Sequence, residues 1–417
     1  MAKPTAGTKR DGSATAGSFV THLECSRTGE KHPAGVLSGL SRAGAPLLAR
    51  YDLERLAAAV DKAAVAARPP DMWRYREFLP LGAAPPVSLG ENMTPLVPMP
   101  GLEKRLGVAG VLIKDEGHLP TGSFKARGMA VAVSMARALG VTSIAIPTAG
   151  NAGAALAAYA SRAGIESYVF TPADTPEVTA SEIAFHGAKV WRVAGLVGDC
   201  ARVVADGAKV KGWFELTTLK EPYRVEGKKT MGLELAEQLG WRLPDAVFYP
   251  TGGGVCLIAM WKVFKELQAI GWIDGSLPRM VAVQSTGCAP IVKAFDAGKA
   301  VSEPWGAVTT EIHGVRVPNP LGGDLVLDVL YKSGGFATAV DDAAVHETRA
   351  RIAAEDGLHL CPEGAATVVA LEMERARGRI KAGDRVVLFN SASGLKSPMP
   401  PMTRRLEPGA AIDFARL

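Results

Sequence analysis

The stretch Leu119-Pro120-Thr121-Gly122-Ser123-Phe124-Lys125-Ala126-Arg127-Gly128 sets a single lysine where an apolar run gives way to a helical pattern. Gly110-Val111-Leu112-Ile113-Lys114 reads as a buried strand, and Phe124 to Leu139 carries small and apolar residues at helical spacing. Lys125 is therefore expected in the first helical turn, where unpaired backbone N–H groups and the positive end of the dipole disfavour an ammonium. An amine held partly neutral is nucleophilic, and such a lysine forms a Schiff base with an aldehyde, pyridoxal phosphate (PLP) included. On spacing alone, a surface lysine at a helix start is the commoner outcome. The residues that accompany it decide between the two.

Other junctions have the same build. Thr148-Ala149-Gly150-Asn151-Ala152-Gly153 joins the strand 143–147 to a helix over 153–163. Its small residues let backbone approach a flat ligand, and the Asn151 amide suits an oxygen such as a phenolate. Thr251-Gly252-Gly253-Gly254-Val255 follows the strand 246–250 and precedes a helix over 256–267, aiming successive amides and a helix N-terminus at an anion. It lacks both the Gly-Lys-Ser/Thr ending of a Walker A loop and the G-x-G-x-x-G spacing, and a triple glycine by itself is more often a tight turn. The strand 385–389 runs into Asn390-Ser391-Ala392-Ser393-Gly394-Leu395-Lys396, which puts hydroxyls at a strand's carboxyl end. Between these lies Glu221-Pro222-Tyr223-Arg224-Val225-Glu226-Gly227-Lys228-Lys229-Thr230, a polar cluster ahead of a helix over 230–239. Arg224 clamps a carboxylate or phosphate if it faces a cleft, and is a solvated or ion-paired charge if it does not.

Positioning these junctions calls for βαβ alternation. Strands over 167–170 and 189–193 alternate with helices over 176–185 and 199–210, and 280–284 adds another strand. That order predicts a parallel sheet with ligands at the carboxyl ends of its strands. The Gly/Pro-rich segment 305–324 is too long for a mere connection and reads as a lid or substrate loop. Near the N-terminus, Cys25 alone cannot hold zinc, since a structural site takes about four ligands. An amphipathic stretch over 52–67 and Trp73-Arg74-Tyr75-Arg76-Glu77 read as a helical cover, and Gly90 to Leu96 as a turn ending near the Thr94 hydroxyl.

Composition narrows the class. The 417 residues, 47% hydrophobic and 21% charged, are ample for two packed domains. Apolar runs are broken by Gly, Pro or charge before the roughly 18 residues that span a bilayer, and Met1 to Ser18 has no signal-peptide core. The net charge of +5 comes from 47 basic and 42 acidic residues without a basic stripe, which argues against nucleic acid. Five scattered cysteines without a C-x-x-C pair favour reduced thiols in a cytoplasmic protein.

An amine for an aldehyde, an amide for a ring oxygen, a glycine loop for a phosphate and a late hydroxyl, each at a strand's carboxyl end, make a holder for PLP. The chain resembles the threonine synthases of the fold-type II PLP enzymes from Thr28-Gly29 to Leu395-Lys396. The matches are Gly90-Glu91-x-x-Thr94-Pro95-Leu96, Lys114-Asp115-Glu116, Pro120 to Arg127, Gly150-Asn151-Ala152-Gly153, Pro222-Tyr223-Arg224-x-Glu226-Gly227-Lys228-Lys229-Thr230 and Ser391-x-x-Gly394-Leu395-Lys396. The lysine, asparagine and glycine-loop motifs belong to the whole fold type. The Tyr-Arg-x-Glu-Gly-x-Lys-Thr segment, with the cysteine remnant before Tyr51-Asp52-Leu53, points to threonine synthase.

The resemblance implies an α/β, two-domain fold-type II architecture like that of tryptophan synthase β, with parallel-rich sheets flanked by helices. Met1 to Ser18, rich in Lys, Thr, Ala, Gly and Ser, reads by composition as a disordered tail, and the resemblance implies a large PLP-binding domain from 19–125 and 226–417 and a small mobile domain, 126–225, inserted between them. The implied activity is that of a lyase in threonine biosynthesis, converting O-phospho-L-homoserine and water to L-threonine and phosphate. PLP is the cofactor, an amino acid the substrate and a homodimer the assembly, with no metal, nucleic acid or membrane partner. Lys125 would be the Schiff-base lysine and would move protons at Cα and Cβ. Phe124, Asn151, Gly252, Gly253, Gly254, Val255 and Ser391 would also hold the cofactor, and Thr94, Ser123, Thr148, Ala149, Gly150, Arg224 and Lys228 the substrate. Three departures stand out: Glu221 where relatives carry asparagine, Ser391-Ala392 for the usual Thr-Gly, and the triple glycine itself. A negative Glu221 near a substrate phosphate would weaken its binding unless the side chain turns away. An alternative is therefore a PLP-dependent dehydratase or ammonia-lyase acting on threonine, serine or a related amino acid. A further alternative is an idle PLP fold that binds a regulatory ligand, against which Lys125 argues.

Overall fold

Alternating strands and helices resolve into two parallel-rich sheets and one small antiparallel sheet. The computed structural model describes residues 16–148 and 150–399, so most of the expected tail and the expected substrate contact Ala149 lie outside the described residues. The strands in chain order are β1 (Val20–Cys25), β2 (Lys31–His32), β3 (Leu47–Tyr51), β4 (Leu96–Pro98), β5 (Gly110–Asp115), β6 (Ser143–Pro147) and β7 (Glu166–Pro172). They continue with β8 (Lys189–Val193), β9 (Phe214–Glu215), β10 (Ala246–Pro250), β11 (Arg279–Ser285), β12 (Phe336–Val340) and β13 (Arg385–Asn390). The main sheet runs β12-β11-β10-β13-β5-β4, all parallel except the edge strand β4. The second runs β8-β7-β6-β9, with every pairing parallel.

The central strands are apolar throughout because both faces are covered. In β10, Val247 and Tyr249 face a core built with the helices Val255–Ala269 and Gly323–Lys332, while Ala246 and Phe248 face a core built with the helix Pro362–Ala376. Around the second sheet, the helix Asn151–Ala163 buries a run of alanines together with Leu156 and Tyr159. Side chains this small let it lie close to the helix Lys125–Ala138.

One crossing ties the helix that Lys125 opens to the rest. The helix Tyr223–Gln238 meets the helix Lys125–Ala138 so closely that a Cβ on Gly227 would strike the carbonyl oxygen of Arg127. Beside the crossing, Arg127 is fully buried and bonds Glu116 at 2.6 and 2.9 Å and Glu234 at 2.6 and 2.8 Å. Lys114 of β5 reaches Glu234 at 2.7 Å. Burial alone would raise the Glu234 carboxyl, but the charges of Arg127 and Lys114 outweigh it and hold the group at about 2.

One expectation changes in extent. The helix expected to begin at Thr230 begins at Tyr223, so the polar cluster is helical and buried rather than a loop. The N-terminal segment is the three-stranded sheet β2-β1-β3, in which Cys25 is buried against the Ser41 hydroxyl at 3.1 Å. Among the described residues no group of side chains is arranged to hold a metal, and no helix is long and apolar enough to cross a membrane.

Candidate active site

Three of the expected junctions leave adjacent parallel strands at the same edge of the main sheet. The glycine loop follows β10, Ser391 follows β13, and the segment leading to Lys125 follows β5. The last two are stitched together: the Phe124 N–H donates to the Ser391 carbonyl at 3.0 Å, the Ser393 N–H donates to the Gly122 carbonyl at 2.9 Å, and Ser123 pairs with Ala392. Lys125 opens its helix as the spacing predicts, with no side-chain cap at Phe124.

Lys125 is half-buried, and its Nζ lies 4.4 Å from the centroid of the Phe124 ring. Loss of hydration, with the nearby charge of Arg224 acting in the same direction, lowers it to about 8. Arg224 and Lys228 come to the same place from the helix Tyr223–Gln238. Lys228 Nζ lies 5.7 Å from the Phe124 centroid, and a Cβ on Gly128 would come within 2.7 Å of that nitrogen. Arg224 is 1% exposed and spends one N–H, at Nη1, on the Leu216 carbonyl at 2.8 Å. Its Nε and Nη2, Lys228 Nζ, Ser123 Oγ and Tyr249 OH are all buried without a hydrogen-bond partner among the described residues. Burial lowers Arg224 to about 10, and burial together with the Arg224 charge brings Lys228 to about 7.

Glu221, the departure that threatened an anion here, is 1% exposed and turned aside. Its carboxylate accepts the backbone N–H of Tyr223 at 2.8 Å and of Arg224 at 3.0 Å, capping the helix that carries Arg224. Burial raises its affinity for a proton, against the lowering effect of the Arg224 charge and the two backbone N–H groups.

The glycine loop is shaped by contacts that exclude side chains. A Cβ on Gly252 would lie 2.6 Å from the Gly314 carbonyl, and one on Gly254, at φ +72°, would strike Val326. Gly253 faces open space, and the helix Val255–Ala269 begins with no side-chain cap, which leaves its first amides free. The segment 305–324 packs on this loop through Gly314, whose N–H donates to Glu363 at 2.7 Å. Ser391 is 5% exposed, with its Oγ 3.6 Å from Cys361 Sγ. Burial pushes that thiol up to about 12, so the neighbour of Ser391 is neutral.

The remaining expected residues divide. Gly150 and Asn151 start the helix after β6, and the buried Thr148 Oγ1 accepts the Gly150 N–H at 3.1 Å. Thr94 is engaged inside the ionic core, donating to Glu116 at 2.8 Å and accepting from Arg127 at 3.1 Å. Lys396 links the two sheets, donating to the Thr121 carbonyl at 3.0 Å and to Glu182, on the helix Glu177–Phe185, at 2.6 Å. Tyr249 and Cys256 were not singled out by the sequence reading. Tyr249 packs edge-on against Phe124 at 6.0 Å, and Cys256 is buried at the start of the helix after the glycine loop. Their places flanking the triple glycine were the available signal.

A profile of the family described as pyridoxal-phosphate dependent enzyme matches residues 87–392. The chain is 35% identical over 378 residues to a threonine synthase of Methanocaldococcus jannaschii, covering 90% of this chain and 92% of that protein. It is 33% identical over 381 residues to a threonine synthase of Methanosarcina acetivorans, with the same coverage. Among solved structures, maize serine racemase aligns with a TM-score of 0.61 at 19% identity, covering 73% of this chain and 88% of that one. A diaminopropionate ammonia lyase from Escherichia coli aligns with a TM-score of 0.60 at 18% identity, covering 74% and 86%. At such identities these two structures speak for the fold alone.

Proposed function

Because the chain belongs to the pyridoxal-phosphate dependent enzymes, and among them to the threonine synthases, we infer that it converts O-phospho-L-homoserine and water to L-threonine and phosphate. PLP is its cofactor, and the residues present fit it. The glycine loop is open at Gly253 and backed by uncapped helix amides, and an unpartnered Tyr249 hydroxyl and a lysine with a lowered proton affinity lie close by. Gly252 to Val255 would hold its phosphate, Asn151 its ring oxygen, Phe124 its ring and Lys125 its aldehyde carbon. Ser391, beside a neutral thiol rather than a carboxylate, would meet the ring nitrogen without forcing it to stay protonated. When bound, PLP supplies a conjugated ring that draws off the electron pairs left as protons leave the substrate.

The chain's own groups do the rest. Lys125 would take and return protons at Cα and Cβ, its lowered proton affinity keeping it partly neutral near pH 7. Ser123, Thr148, Ala149 and Gly150 would bind the amino-acid end, while Thr94, held by Glu116, would keep the Lys125 helix in place. The observation that carries a phosphate ester over a simple hydroxy amino acid is the cationic pair Arg224 and Lys228, buried with Nε, Nη2 and Nζ unpaired. Two such groups, with only the amide-bound Glu221 carboxylate near them, are costly unless an anion joins them, and a substrate phosphate would be that anion.

Residues 126–225 would form the smaller lobe, since β6 to β9 all fall within that span. A reducing compartment such as the cytoplasm suits five cysteines that are buried and free. A homodimer, implied by the resemblance, is checked by light scattering. The deciding experiment measures phosphate release and threonine formation from O-phosphohomoserine beside ammonia release from threonine and serine. Keto-acid formation without threonine synthesis would reverse the assignment.

A further inference from the structure

Lys228 is a second amine aimed at the space that Lys125 enters. It is fully buried, its Nζ has no hydrogen-bond partner among the described residues, and it shares the Phe124 ring with Lys125. The charged and titratable groups around it are Arg224 and Glu221 on its own segment, Lys125 across the helix crossing, and the Cys256 thiol from the helix after the glycine loop. None of them serves it as a full counter-ion. Glu221 is bonded to two backbone amides, burial keeps Cys256 protonated, and the other two are cations. A permanent ammonium in such surroundings is costly, so they favour an amine that gains and loses its proton near neutrality.

The reaction leaves one proton without an assigned source. When the Cγ–O bond of a phosphate monoester breaks, the bond's electron pair goes to the ester oxygen. Without a proton that oxygen departs as part of fully deprotonated phosphate, which is a poor leaving group. Lys125 is occupied with the protons at Cα and Cβ. Resting on phosphohomoserine as substrate, we propose that Lys228 is the acid that protonates the departing phosphate. Its Nζ–H passes a proton to the bridging oxygen as the Cγ–O bond breaks, and the pair left at Cβ becomes the Cβ=Cγ double bond. The amine recovers its proton from solvent before the next turnover, while the free edge of Arg224 holds the non-bridging oxygens.

The test compares holoenzymes on two substrates. O-Phosphohomoserine requires phosphate departure, whereas vinylglycine already has the Cβ=Cγ bond and nothing to lose. In Lys228→Gln, the loss of rate with phosphohomoserine should exceed the loss with vinylglycine by about a hundredfold or more, the effect of a missing general acid. Lys228→Arg keeps a charge but holds its proton far above neutral pH. It should retain inhibition by inorganic phosphate without regaining the rate. The wild-type kcat/KM should fall as pH rises through about 7, the value at which free Lys228 loses its proton, and this limb should vanish in both variants. Equal losses on the two substrates, or full recovery of rate in Lys228→Arg, would leave Lys228 as a fixed charge and overturn the proposal. A wild-type enzyme that leaves phosphohomoserine intact while deaminating threonine would instead overturn the substrate assignment, and this role with it.

Discussion

Arg224→Lys is the substitution that most directly tests the anion site. The guanidinium spends Nη1 on Leu216 and leaves Nε and Nη2 free along one edge, the geometry that takes two oxygens of a phosphate at once. A lysine at this position cannot hold the Leu216 carbonyl and also offer a two-point edge, so at least one charge-assisted hydrogen bond is lost. Such bonds contribute about 1.5–3 kcal/mol, and roughly 1.4 kcal/mol corresponds to a factor of ten. The expected loss in kcat/KM for phosphohomoserine is therefore on the order of tenfold to a hundredfold. It should appear mainly as a raised KM, together with weaker inhibition by free phosphate. Cofactor absorbance should not change, because the glycine loop that would hold the PLP phosphate lies on a different helix. Steady-state kinetics with phosphate as a competitor reads all three quantities. Unaltered KM and phosphate inhibition would refute the reasoning and leave Arg224 as a structural residue that fixes Leu216.

The other predictions address cofactor and stability. Lys125→Ala should fold and retain PLP weakly through residues 252–255, without a borohydride-reducible link; normal turnover by this variant would contradict the assignment of Lys125. Gly254→Ala places a side chain at φ +72° against Val326, so a PLP titration followed by absorbance should show weakened retention, and unchanged affinity would remove the loop from the cofactor site. Glu234 is held down at about 2 against its ordinary 4.5, so its contribution to stability is present above about pH 4.5 and is lost as pH falls towards 2. Denaturation midpoints should fall over that window, while Glu234→Gln, which leaves Arg127 and Lys114 short of a partner, should cost about 3–5 kcal/mol at neutral pH and flatten the dependence.

The strand ends were legible because glycine, small residues and hydroxyls cluster where a parallel strand must hand its ligand to a helix. Strands β6, β8 and β10 fall where alternation puts them. Burial of the polar cluster over 221–230 was not legible. Its charges look solvated until partners far along the chain are known: Glu226 accepts from Tyr51 at 2.7 Å, and Lys229 reaches Glu266 at 2.9 Å. Thr94 was hidden in the same way, since its hydroxyl is claimed by Glu116 and Arg127. In β1 the alternation of Leu23 and Cys25 towards the core with half-buried polar neighbours between and beside them is readable from the sequence.

The contact of Gly227 with the Arg127 carbonyl sets a spacing that no rotamer can adjust. Lys125 and Arg127 ride on one helix, Arg224, Lys228 and Glu234 on the other, and bare backbone keeps the two at a fixed separation. Any added methyl at the crossing therefore moves Arg224 and Lys228 away from Lys125 and loosens the buried ion network in a single displacement. The geometry of the proposed site and thermal resistance have one mechanical origin here, so variants at Gly227 cannot trade one for the other.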